Sequence, residues 1–393
     1  MKLSRADRSL LAEWSFSIDR GLLIALVSLV VIGVVLSAAA SPAVALKKGL
    51  PAYYFVERHM FFAALGTALM MIVSFFSPSG VRRLAAVMFI VAVVGMIAVL
   101  FSGTEIKGAQ RWLSVGSYSV QPSEFAKPAF IVIIAWLFGE ASARSDMPAL
   151  PFALGLWAFF AGTLVAQPDV GQTVLISATA GLLYLLAGLP TIGAGLLVLA
   201  GGAGMWLAYE YFPHVQSRFE KFFGAAPLES SQAGRAIQSF AEGGLFGRGP
   251  GEGTIKSILP DAHTDYIFAV IGEEYGAAAC IALLGVFAFI TIRALRRAAG
   301  EPNAADRLAI QGLALVFALQ SLINMGVNIG LLPPKGMTLP FISAGGSSML
   351  ALSLTAGMLL ALTRRRPDPQ RLKKPRWIPA IEEVQLAGQT PKT

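Results

Sequence analysis

Apolar residues in this chain fall in runs of about twenty, separated by short charged stretches or by segments rich in glycine and proline. A helix needs about 20 apolar residues to cross a bilayer, with a range of about 17–25. The pattern predicts spans over 21–40, 60–77, 84–102, 122–138, 150–167, 174–189, 192–211, 266–292, 308–332 and 347–363. The fourth and eighth contain charges, and the tenth is short and begins after a glycine pair. The expected fold class is an all-α polytopic membrane protein with about ten transmembrane helices. Residues 1–20 form an N-terminal segment, 21–363 the transmembrane domain, and 364–393 a basic, proline-punctuated tail expected to be disordered and cytoplasmic.

Composition agrees with the pattern. The 393 residues are 55% hydrophobic and 14% charged, with mean hydropathy +0.65, whereas a soluble domain carries roughly 25% charged residues. The net charge of +8 raises the question of nucleic acid, but the basic residues sit in short runs between apolar stretches, so no nucleic-acid partner is expected. The single cysteine, Cys280, excludes an intrachain disulfide. His59, His214 and His263 lie too far apart in sequence for metal-ligand spacing. Lys2, Arg5 and Arg8 before an apolar stretch resemble a signal peptide, yet 21–40 is longer than the usual signal core and reads as a retained first helix.

Basic residues also set the orientation. With the N-terminus inside, the cytoplasmic segments hold nineteen Lys and Arg and the opposite side eleven, mostly in longer segments where the bias counts less. The positive-inside rule therefore predicts a multi-pass protein of the cell inner membrane with both termini cytoplasmic.

Three extracytoplasmic stretches stand out. One is 103–123. A second, 212–264, is a large loop between the seventh and eighth spans, rich in glycine but carrying Phe240, Leu245, Phe246 and Leu259, and so expected to pack down on something. The third, 332–348, holds Pro333, Pro334, Gly336 and Pro340 and is expected to re-enter or cap a cavity, because irregular backbone cannot face lipid. The chain shows no clear internal repeat, which weakens an inverted-repeat transporter reading.

Ionisable groups at membrane depth are expensive, and are functional or paired. Glu124 and Lys127, three apart on the fourth span, share a helix face. They form a structural ion pair, or line a polar cavity, or both. Asp169 follows Pro168 between the fifth and sixth spans and either caps the sixth or faces substrate. Asp265 opens the eighth span, with Glu273 and Glu274 two turns on; Asp265 is a helix cap, or one of several acids able to bind a divalent cation or take a proton from a hydroxyl. Trp112 is an interfacial anchor or a sugar contact, and the planar fork of Arg111 suits phosphate.

At these residues the sequence resembles the SEDS family (shape, elongation, division and sporulation). The motifs are Arg111-Trp112; Gln121-Pro122-Ser123-Glu124 with Lys127; Gln167 to Thr173; and Gly243 to Gly247. His263 to Phe268 with Glu273 to Gly276, and Leu339 to Ser343 with Gly345 to Ser348, complete the series. Each is moderately specific; the ordered set is highly specific. Pro334-Lys335-Gly336, Trp14 and Ile18-Asp19-Arg20 are similar to the division-type members, while Ala344 departs from a common family tyrosine.

The resemblance implies a peptidoglycan glycosyltransferase that polymerises lipid II outside the cytoplasmic membrane, beside a class B penicillin-binding protein and other division proteins at the septum. The acid of the family's Thr-Asp motif maps onto Asp265, which is expected to act as general base. Arg111, Lys127, Arg235, Lys335 or a divalent cation, Mg or Mn, would balance the departing pyrophosphate. Trp112, Glu124, Asp169 and Ser343 join the candidate substrate contacts, and no organic cofactor is expected. Competing expectations are a lipid II flippase, a scaffold for a partner, and the elongation-type polymerase.

Overall fold

The computed structural model describes residues 9–365 apart from 107–108, 117, 145, 212–215, 217–230 and 335. The expected tail thus lies almost wholly outside the described residues, as do Lys335 and much of the first half of the 212–264 loop.

The chain divides into two units. The smaller, Met1–Ile18 with Arg364–Thr393, contains helix α1, Leu10–Ser17, capped by the Ser9 hydroxyl, which accepts from the Ala12 N–H. Within it, Arg364 Nε donates to Ser17 Oγ at 2.9 Å.

The larger unit, Asp19–Thr363, holds the apolar helices. These are α2 Arg20–Lys47, α3 Tyr54–Ser74, α4 Pro78–Ser102, α5 Pro122–Ala143, α6 Ala149–Ala166, α7 Val170–Leu186 and α8 Thr191–Tyr211. After a short helix α9, Gln232–Gly243, come α10 Ile267–Ala298, α11 Ala304–Asn328 and α12 Gly346–Leu362. Eight are long and apolar enough to cross a membrane; α7 and α12, at 17 residues each, are apolar but shorter. All ten predicted spans therefore appear, in order, among the described residues, and the protein is a polytopic helical membrane protein.

Helix starts follow local chemistry. Asp19, Ser77, Asp169 and Asn303 cap α2, α4, α7 and α11 with side-chain oxygens, and Pro78 and Pro122 occupy first-turn positions where no backbone N–H is needed. The helices differ in burial. α5, α11 and α12 are the most enclosed, whereas α8 turns Ile192, Leu196, Val198 and Leu199 outward, a surface suited to lipid tails. α12 packs along α3, and α5 packs between α4 and α11.

Two features depart from an all-helical reading. The 103–123 segment is a three-stranded antiparallel sheet, β1 Thr104–Ile106, β2 Ala109–Val115 and β3 Tyr118–Val120, in the order β1-β2-β3. β1 and β3 are three residues each, and the seven of β2 do not alternate, with Gln110 beside Arg111 and Trp112 beside Leu113, so no period-two pattern can be read in the sequence. The second feature is a break in α10. Gly276 takes φ 79° and ψ 177°, and the glycine-rich loop enters the gap. Arg248 and Gly249 N–H donate to the Glu273 and Glu274 carbonyls at 3.0 Å each, while Ala277 and Ala278 N–H donate to the Gly244 and Leu245 carbonyls at 2.9 and 3.1 Å. The backbone groups freed by the break are thereby satisfied, as a non-aqueous setting demands. This is what the apolar, glycine-rich loop packs against.

Candidate active site

Asp265 lies in a turn directly before α10. Its backbone is held from two sides. The Asn324 and Asn328 side-chain amides of α11 each donate to the Asp265 carbonyl at 2.9 Å. On the other side, Ser343 Oγ donates to the Thr264 carbonyl at 2.6 Å, and Ala344 N–H donates to the His263 carbonyl at 3.0 Å. The His263 ring lies on Phe55 of α3, with centroids 4.6 Å apart. Asp265 is half-buried, and its Oδ2 would stand 3.6 Å from a Cβ placed on Gly336, so the carboxylate faces the proline- and glycine-bearing segment. Tyr266, not Asp265, occupies the N-cap position of α10, and it makes no side-chain cap.

A continuous polar chain runs from β2 through α7 and α5 to α11. Arg111, on β2, donates from Nε to the Gln167 carbonyl at 3.3 Å and from a terminal nitrogen to the Pro168 carbonyl, and lies 3.4 Å from Asp169 Oδ1. Asp169 also accepts from Gln121 Nε2 at 3.3 Å and caps α7 through the Gln172 N–H at 3.3 Å. The Gln172 side chain donates to Glu124 Oε1 at 2.5 Å, and Glu124 Oε2 lies 2.9 Å from Lys127 Nζ. Lys127 then donates to Gln320 Oε1 at 2.9 Å, and Gln320 Nε2 donates to the Thr338 carbonyl at 3.1 Å. Both members of the Glu124–Lys127 pair have side chains 5% exposed, so their mutual charge balance is what makes burial tolerable. A cavity of about 10 Å³ beside them, lined by Glu124, Lys127, Gln320 and Thr355, has room for about one water.

Several of the expected substrate contacts are engaged with other parts of the chain. The Arg111 guanidinium is committed to the α6–α7 break, a different use of its fork from the expected phosphate contact. Trp112 is half-buried on the same strand, paired with Thr104. Arg235, on α9, donates to the Ile258 carbonyl at 2.7 Å. Ser343 is 4% exposed and also accepts from the Leu339 N–H at 2.7 Å, stapling the 339–343 segment to the Asp265 turn.

The acids after Asp265 are corrected as well. Glu273 does not face Asp265 in an acid cluster. Its carboxylate accepts from the Thr254, Ile255 and Lys256 N–H groups at 2.5, 2.7 and 3.1 Å. Glu274 accepts from the Gly251 N–H at 3.0 Å and pairs with Lys256, whose Nζ also donates to the Ala39 and Gly251 carbonyls. These groups fasten the loop. Among the described residues, no three His, Cys, Asp or Glu side chains gather so as to hold a metal ion. A protein-built cage for the expected cation does not fit this donor set.

Sequence reading missed Gln320, Asn324 and Asn328. They recur every four residues on α11, which places them on one face, and three carboxamides at that spacing within an apolar run were the available signal.

The fold and the polar turn at Asp265 define a class, the helical membrane proteins with a polar site built on the loops between their spans. The chain belongs to the cell cycle protein family FTSW_RODA_SPOVE, whose pattern it matches over residues 20–367. It is 44% identical to a Caulobacter vibrioides protein named "Probable peptidoglycan glycosyltransferase FtsW", over 93% of this chain and 94% of that one. It is 33% identical to a protein of the same name from Saccharophagus degradans, over 86% and 89% of the two chains. Among solved structures it superposes with TM-score 0.72 and 28% identity on a chain from work on "Structural coordination of polymerization and crosslinking by a peptidoglycan synthase complex", covering 88% of this chain and 97% of that one. The rod shape determining protein RodA of Thermus thermophilus shares the fold, with TM-score 0.66 at 24% identity, over 88% and 96% of the two chains.

Proposed function

We propose that this chain is a peptidoglycan glycosyltransferase that polymerises lipid II on the periplasmic face during septal wall synthesis, with Asp265 as its general base. The observation that carries the chemical assignment is the doubly held Asp265 turn, whose carboxylate faces Gly336 beneath a segment of irregular backbone. The family and the names of the relatives support the reaction class.

In this reading the 4-hydroxyl of the acceptor sugar attacks the anomeric carbon of the donor from the face opposite its pyrophosphate. The new C–O bond forms, the bond to undecaprenyl pyrophosphate breaks with its electron pair, and the configuration inverts. Asp265 takes the hydroxyl proton, an aid worth about 10²–10⁴-fold. Lys335, next to Gly336 in the chain, is the cation assigned to the leaving pyrophosphate, because stabilising developing charge is often the largest single contribution. Trp112 is assigned to sugar contact. Arg111, Asp169, Glu124 and Lys127 hold the hairpin and helices beside the site. Arg235 and Ser343 hold loop backbone.

The site's partner is a class B penicillin-binding protein, the crosslinking enzyme beside this polymerase. The test is strand synthesis from lipid II by the purified chain, with and without that partner. Asp265→Asn in folded protein lowers the rate by about 10²–10⁴-fold; synthesis at the wild-type rate removes Asp265 from the chemistry. Because lipid II is supplied directly, a flippase without polymerase activity yields no strands. A fluorescent fusion confined to the sidewall excludes the septal role.

A further inference from the structure

Buried titratable groups, the cavities, the loop clasp at α10 and the polar face of α11 each invite a role, and the α11 face carries an inference furthest. Asn324 and Asn328 are 1% and 0% exposed. Placing uncharged amides so deep in an apolar helix is unfavourable unless their donors and acceptors are used. They are used, and they share one acceptor, while Asn328 Nδ2 also donates to the Asn324 carbonyl at 2.8 Å. Both Nδ2 groups donate to the same Asp265 carbonyl at 2.9 Å, occupying both of its lone pairs. Asn324 Nδ2 also donates to the Met337 carbonyl at 2.6 Å, two residues from Lys335 in sequence. Asn328 Oδ1 accepts from the Ala269 N–H at 3.0 Å, in the first turn of α10, a bond that Ala269 shares with the Tyr266 carbonyl. One pair of side chains thus fixes the backbone of Asp265, the start of the helix after it, and the segment that its carboxylate faces.

We infer that Asn324 and Asn328 are positioning residues for Asp265, setting the distance between its carboxylate and the 336–338 segment. The inference rests on the Asp265 base reading. It adds that the carboxylate's geometry is fixed from α11 through a backbone carbonyl. A general base must lie within hydrogen-bond reach of the proton it takes, and a misplacement of about 1 Å can lower a rate about 100-fold.

The experiment is lipid II polymerisation by the purified full chain, with kcat and KM resolved, for Asn324→Ala, Asn328→Ala, Asn328→Asp and Asp265→Asn. Leu322→Ala, on the exposed side of α11, is the control. Asn324→Ala leaves the Asn328 acceptor at the start of α10 in place, so it tests the carbonyl contact with the helix start preserved. Asn328→Asp keeps an acceptor for Ala269 but cannot donate to Asp265 when ionised. The expected result is a kcat lowered about 10–100-fold in Asn324→Ala and Asn328→Asp, with KM for lipid II within about twofold. In the Asp265→Asn background the same changes have little further effect. Wild-type kcat in folded Asn324→Ala overturns the inference, as does a full return of kcat together with thermal stability in Asn328→Asp. Full activity of Asp265→Asn is a different outcome and removes the base reading itself.

Discussion

Gly247 and Gly276 meet backbone to backbone: a Cβ on Gly276 would come 2.4 Å from the Gly247 nitrogen, and one on Gly247 would come 2.2 Å from the Glu274 carbonyl oxygen. Both glycines have positive φ, 80° and 79° respectively, a region where other residues are strained. The loop-to-helix splice in α10 therefore depends on two hydrogens where every other residue has a carbon.

Gly276→Ala and Gly247→Ala should each displace the loop. The positive-φ backbone alone disfavours alanine by about 1–3 kcal/mol, and the overlap adds to it. Limited proteolysis should cut within 243–256 faster in both variants than in wild type. Gly285→Ala, on the same helix with nothing within 4 Å of its Cβ, should leave the cleavage pattern unchanged. Equal protection in all three would show that the splice tolerates a side chain.

Much of the helical frame was legible because its signal is summed over twenty residues. Ten apolar runs survive errors of several residues at each end. The ends themselves were harder: α3 begins at Tyr54, taking in Glu57, Arg58 and His59, because its first turns pack Phe55 on His263 and bury His59. The Glu124–Lys127 pair was legible from helical spacing alone. The anchoring of the Arg111 side chain and the hold on Asp265 were not, since both rest on partners distant in sequence. Asn324 lies 59 residues from Asp265, and Gln167 lies 56 from Arg111. No local periodicity encodes such meetings.

The Glu124–Lys127 pair makes a second prediction. Removing one partner strands a charge whose side chain is 5% exposed, and such losses run to about 3–5 kcal/mol. Glu124→Ala and Lys127→Ala should each lower the unfolding temperature in detergent. Glu124→Leu combined with Lys127→Met, apolar and similar in volume, should recover much of it. If the double variant is stable but inactive, the pair shapes the site; if it is stable and active, the pair serves packing only.

Arg111 provides a third. Its guanidinium serves the Gln167 and Pro168 carbonyls and the Asp169 carboxylate together. Lysine carries the charge but not the planar fork. Arg111→Lys should therefore leave at least one of these acceptors unpaired, at about 1–3 kcal/mol. The measurement is a double-mutant cycle on thermal stability with Asp169→Asn. A coupling near zero would mean that the ion pair adds nothing beyond the carbonyl contacts.

Asp19 ties the start of α2 to the end of α10, pairing with Arg293 at 2.6 Å and with Arg297. Burial pushes its carboxyl up, but the Leu22 N–H and the two guanidinium groups outweigh that and hold it below the usual carboxylate range. The sign follows from linkage: an acid with a depressed folded-state pKa stabilises the protein above its unfolded value, here 3.8, and loses that stabilisation as pH falls through the folded value. Wild-type stability should thus decline below about pH 4, and Asp19→Asn should flatten that part of the profile while costing about 1–2 kcal/mol at neutral pH, a figure reduced for the part-exposed arginines. Unfolding temperatures from pH 3 to pH 7 for the two proteins provide the comparison. Parallel curves would show that some other acid governs the decline, and an undiminished stability of Asp19→Asn at pH 7 would show that α10 is held without this tether.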